Sequence, residues 1–156
     1  MGTSSARTPG SAETTLEAVR SLARTARLLE RAAGDLGIAQ YRVLSAIAAG
    51  DERASRVAER FDLGRPTVSV AVDALCRQGL VRRSESPGDL RATDLSITPK
   101  GRALLGAVEA AMTTALAELC ACSATGEEVA AALASLGPAL DAVQAQRIGR
   151  ARQARA

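Results

Sequence analysis

Three residues in this chain of 156 have types and spacing suited to recognition: Arg65, Thr67 and Ser69, followed in register by the apolar positions Val68, Val72 and Leu75. Pro66 fits the first turn of a helix, where no amide partner is needed. The apolar stripe must turn toward a core, so the guanidinium and the two hydroxyls cannot all point inward. An exposed helix start carrying such donors suits the base edges and phosphates of a duplex groove. Further donors follow, with Arg82-Arg83 at a strand-like segment and Asp89 and Arg91 beyond a Pro87-Gly88 turn signal.

Other chemistry is poorly supplied. The chain has no His, and Cys76, Cys120 and Cys122 form no metal-ligand pattern, so most metalloenzyme and His-dependent enzyme readings are excluded. There is no phosphate-cradling Gly loop and no paired carboxylates in an expected cleft, so neither an enzyme nor a cofactor or metal is expected. Cys120 and Cys122 stand two apart on a helical stretch and point to different sides, which suits small packing residues. A redox role for either, or for Cys76 in the recognition helix, is the alternative.

The elements that position these groups can be read from periodicity. Residues 1–13 are rich in Ser, Thr, Gly and Ala and are read as a disordered tail. Thr14-Thr-Leu-Glu17 has the form of a capping box, and Leu16, Val19, Leu22, Ala26 and Leu29 recur at helical spacing until Gly34. A second helix is expected over Ile38–Ala49, closed by Gly50-Asp51. A short one carrying Val57, Ala58 and Phe61 begins at Ser55, and Asp62-Leu-Gly64 turns into the helix of Arg65.

Gly79 should end that helix, with Leu80–Arg83 and Asp94–Ile97 forming a hairpin whose tip is Pro87-Gly88. Thr98-Pro99 then starts a helix to about Ala121 with an apolar stripe from Leu104 to Leu119. Thr125-Gly-Glu-Glu128 has the form of a second capping box and opens a last helix that Gly137-Pro138 should bend or interrupt.

The bulk composition agrees with a helical reading. One Phe, one Tyr and no Trp leave Ala, Leu and Val to fill the core, which suits closely spaced helices. The formal charge of +3 is compatible with nucleic acid but discriminates poorly, and from Arg65 to Arg91 five Arg against three acids leave +2. Without a run of about 20 apolar residues or a leader pattern, the expectation is a cytoplasmic chain with no membrane partner.

Taken in order, Gln40-Tyr-Arg-Val-Leu44, Val57-Ala-Glu-Arg60, Thr67-Val-Ser69, Val72-Asp-Ala-Leu75, Gly79-Leu-Val81, Asp89-Leu-Arg91 and Leu95-Ser-Ile-Thr-Pro-Lys-Gly101 resemble the MarR family of winged helix-turn-helix transcriptional regulators. The resemblance covers about residues 14 to 149. It implies a mostly α fold with a small β-hairpin wing, in which a head over 38–97 is flanked by dimerisation helices over 14–34 and 98–149. Residues 150–156 would be a flexible end.

The implied function is that of a homodimer, a repressor bound to a pseudo-palindromic operator in double-stranded DNA and released by a small lipophilic or phenolic effector. Arg65, Pro66, Thr67 and Ser69 match the recognition-helix positions, Arg91 the wing-tip residue of the minor groove, and Asp89 its orienting carboxylate. Two positions depart from the family pattern: Val70 stands where many relatives carry Arg, and Pro66 where Ser is frequent. Arg53, Arg82 and Arg83 are further candidates for the DNA backbone, and Tyr41 is the one phenol that could mark a ligand pocket. Peroxide-sensing relatives usually carry their cysteine in the first helix, where this chain has none. A winged-helix protein-interaction module and a cysteine-based redox-sensing regulator are the competing readings.

Overall fold

Val68, Val72 and Leu75 lie at the centre of the core, 0–1% exposed, with Ala71 beside them. The structure, a computed structural model, describes residues 12–50, 65–86 and 89–153. Its helices are α1 (Ala12–Ala32), α2 (Ile38–Ala48), α3 (Arg65–Arg77), α4 (Pro99–Ala121), α5 (Gly126–Ser135) and α6 (Gly137–Gln153). Between α3 and α4 lie β1 (Val81–Ser86) and β2 (Asp89–Ile97).

The core joins α3 to Val43, Leu44 and Ile47 of α2, to Leu80, Val81 and Leu95 around the hairpin, and to Leu105 and Val108 of α4. Each fully buried Val or Leu contributes about 1.5–3 kcal/mol, which makes this cluster the main source of order in the head. The hairpin is antiparallel, with Val81 opposite Ile97 and Arg83 opposite Leu95, and its register shifts between Glu85 and Ser86.

Several expectations change. α1 begins at Ala12, so Thr14 lies within its first turn and is not the N-cap; Glu13 there places a negative charge where the helix dipole favours one. The strands are longer than expected, and Asp89 and Arg91 belong to β2 and not to a connecting loop. Thr125 precedes α5 but its side chain makes no cap hydrogen bond. The Ser123 hydroxyl instead accepts from the Thr125 amide (3.3 Å), and Gly126 lies so close to the Cys120 carbonyl that no side chain would fit. At Gly137-Pro138 the last helix divides into α5 and α6, as a residue without an amide hydrogen requires.

The short helix from Ser55 to Phe61, the Asp62–Gly64 turn, the Pro87-Gly88 tip and Arg53 lie outside the described residues, as do residues 1–11 and 154–156 of the expected flexible ends.

The long helices are less covered than the head. α1 buries no residue, and Leu16, Val19 and Leu22 stay about half exposed. On α4 only Leu105 and Val108 of the expected stripe are buried, with Gly101 at its start, while Leu119 is exposed. By length and composition α4 is apolar enough to cross a membrane, its most apolar 18-residue stretch having a mean hydropathy of 1.4. It packs against α1, α2 and α5, which gives its apolar face a use within the fold.

Candidate nucleic-acid interface

The first turns of α3 sort their side chains cleanly. At about 100° per residue, buried Val68, Ala71, Val72 and Leu75 define one face, and Pro66, Val70, Asp73 and Arg77 the opposite one, with Thr67 exposed at one flank between them. Ser69 lies at the other flank and is also exposed. Arg65 is the first residue of the helix. Thr67 and Ser69 therefore stand outside the core with hydroxyls open to a partner, as their sequence positions require.

The other end of α3 is fixed in place. Gly79, at φ +71°, adopts the left-handed conformation that terminates a helix. The Leu80 amide donates to the Leu75 carbonyl (2.9 Å) and the Gly79 amide to that of Cys76 (3.0 Å). The start of α4 then closes over this turn. The Thr98 hydroxyl accepts from the Gly101 amide (3.0 Å), and its hydrogen lies between the carbonyls of Gly79 (2.8 Å) and Leu80 (3.2 Å). The Lys100 ammonium donates to the Gln78 carbonyl (2.9 Å). Gly101 is buried against the Leu80 carbonyl, where a Cβ would collide. The Thr-Pro-Lys-Gly sequence thus works as a clamp between recognition helix and α4, a role that its spacing alone did not show.

The basic candidates of the wing divide. The Arg83 guanidinium donates to the Asp73 carboxylate at 2.6 Å, tying β1 to the outward face of α3. Both partners are about half exposed, so the pair contributes at most about 1 kcal/mol. Arg82 is exposed on the adjacent position. Asp89 is the first residue of β2, opposite Ser86, with Arg91 two residues further on. Sequence spacing offered no signal for the Asp73–Arg83 pair, whose residues stand ten apart on two different elements.

Tyr41 is partly buried against the core. Burial first, then the carboxylate of Glu109, raise its pKa above the ordinary tyrosine value. It does not line the cavity of about 780 Å³ found among the described residues, which opens farther along the bundle between α1, the end of α4 and α5. Leu28, Leu116 and Leu133 form part of its wall, with Arg24, Arg27 and Arg31 of α1, which the sequence reading missed although their three- and four-residue spacing sets them on one helical face. Cys120 also lines it; Cys122 is exposed, and Cys76 is partly buried at the core edge. Among the described residues no group of His, Cys, Asp and Glu is placed to hold a metal ion.

A buried-stripe helix, clamped at its end and followed by a two-stranded hairpin, defines a winged-helix protein. The model of the MarR family matches residues 34–92. The fold is shared with the apo form of MarR from E. coli, at 21% identity over 83% of this chain and 96% of that one, with a TM-score of 0.66. The transcriptional repressor CouR, solved on a 23-mer DNA duplex, is similar at 28% identity over 77% and 86%, with a TM-score of 0.66. CouR from Rhodococcus jostii RHA1 bound to p-coumaroyl-CoA matches at 24% identity over 70% and 79%, with a TM-score of 0.59. No curated protein sequence matches the chain. Over the matched residues and in its fold, this chain is similar to the MarR family of winged-helix transcriptional regulators.

Proposed function

We propose that the chain acts as a cytoplasmic homodimeric repressor of a pseudo-palindromic operator, released by a small lipophilic or phenolic ligand. The observation that carries this reading is the outward face of α3, where Thr67 and Ser69 are exposed beside a stripe that is wholly buried. In this reading Arg65, Pro66, Thr67 and Ser69 meet the major groove and its phosphates, and Arg91, oriented by Asp89, enters the minor groove. Arg82 and Arg53 meet the backbone, while Arg83 holds the wing. Residues 38–97 form the head, with 14–34 and 98–149 the dimerisation helices. The exposed apolar side chains of α1, α4, α5 and α6 support a second copy, which would set two heads about one DNA turn, ~34 Å, apart.

The cavity between α1, α4 and α5 supports an effector, since aliphatic walls with a basic rim suit a lipophilic body bearing an anionic group. A relative's complex with p-coumaroyl-CoA is a precedent of that chemistry.

A mobility-shift series on the chain's own upstream DNA tests the function. Roughly 6–10 phosphate contacts predict an affinity loss of about 10³–10⁵ between 50 and 200 mM salt. Arg91→Ala should weaken binding whatever the major-groove sequence, whereas Thr67→Ala should relax discrimination at one base step. Binding to no duplex, or binding without a salt slope, would refute the proposal.

A further inference from the structure

We propose that Val70 reads the C5-methyl group of a thymine in the major groove. The inference rests on the DNA-binding reading and adds a specificity determinant to it. Val70 is 68% exposed, and the other large apolar side chains that stand exposed among the described residues belong to α1 or to the stretch from α4 through α6. Those form the broad faces suited to a second copy. Val70 instead stands by itself in the described part of the head, in the second turn of α3, directly opposite the stripe of Val68, Ala71, Val72 and Leu75.

Its neighbours one turn away are Pro66 and Thr67 on one side and Asp73 on the other, and all three are exposed. Asp73 is held by Arg83, so its carboxylate is drawn toward the wing. The centre of the outward face is therefore an isopropyl group. Among the four bases only thymine presents an apolar group in the major groove; the others offer nitrogen and oxygen atoms. An isopropyl group set against those atoms removes water from them without supplying a partner. Set against a methyl group, it buries apolar surface on both sides. Val70 thus favours thymine by attraction and disfavours the other bases by desolvation.

The test begins with selection of binding duplexes from a random pool by the purified full-length protein. Each dT in an enriched duplex is then replaced by dU, which removes only the methyl group. At one dT the wild type should lose about fourfold in affinity, the equivalent of ~0.8 kcal/mol for one methyl group, and roughly fifteenfold when its symmetry mate is replaced too. Val70→Ala should bind the unmodified duplex more weakly and be indifferent to dU at that position. Val70→Thr keeps one methyl group and should retain part of the sensitivity. Because Val70 lies outside the core and Ala and Thr are no poorer helix formers there, neither variant should unfold clearly below the wild-type temperature. Wild-type indifference to every dU, or sensitivity that persists unchanged in Val70→Ala, overturns the thymine contact while leaving DNA binding intact. Failure to enrich any duplex overturns both, and is the result expected of a head that docks protein.

Discussion

Tyr41 shows how one side chain reports on its surroundings. It sits partly buried on the core near Glu109, and both burial and that carboxylate favour its neutral form. A folded pKa above the unfolded value near 10 means that its contribution to stability is complete below about pH 10 and is lost as pH rises through the folded pKa. The chain has a single Tyr, so ultraviolet difference titration reads this group alone. The midpoint should lie above 10 in the native protein and return to about 10 in urea, and Tyr41→Phe should flatten the alkaline fall in melting temperature. The exposed hydroxyls of Thr67 and Ser69 were legible in the sequence because the Val68, Val72 and Leu75 spacing fixed which way α3 must turn. The engagement of Arg83 with Asp73 was not, because it depends on where β1 lands beside α3.

Among the elements, the boundaries most clearly legible were those with a local chemical cause: Gly79 at the end of α3, Thr98-Pro99 at the start of α4 and Gly137-Pro138 between α5 and α6. The capping-box patterns at Thr14 and Thr125 misled, since neither threonine makes the expected cap: one lies inside α1, and at the other Ser123 accepts the Thr125 amide. Two glycines of α4 allow a paired test of the junction with α3. Gly106 has open space where a Cβ would stand, so Gly106→Ala should stabilise the chain by about 0.5–1 kcal/mol through helix propensity. Gly101→Ala must displace the Leu80 carbonyl and should destabilise by about 1–3 kcal/mol. Urea unfolding followed by circular dichroism gives both values; equal effects of the two substitutions would remove the close approach from the account.

For the whole molecule, the contrast between a filled head and thinly covered long helices is the main result. The head's core was readable from periodicity because α2, α3 and the hairpin bury their stripes within one chain. The fate of the faces on α1 and α6 was less readable, since what covers them depends on a second surface. Leu140 is 66% exposed, so Leu140→Glu should leave the monomer fold intact while lowering the mass seen in sedimentation from twice the 16.0 kDa chain toward the single value. Unchanged mass would exclude this face from the dimer. The clamp of Thr98, Lys100 and Gly101 also has a mechanical meaning. It fuses the end of the recognition helix to a 23-residue rod of about 35 Å, so that a tilt of the far end becomes a displacement of the reading face. About 6° of tilt at that length corresponds to ~3.5 Å, close to the ~3.4 Å spacing of base pairs along a duplex. In the proposed dimer the bundle angle would thus be a register setting: a few degrees of tilt would move the two heads a full base-pair step out of phase.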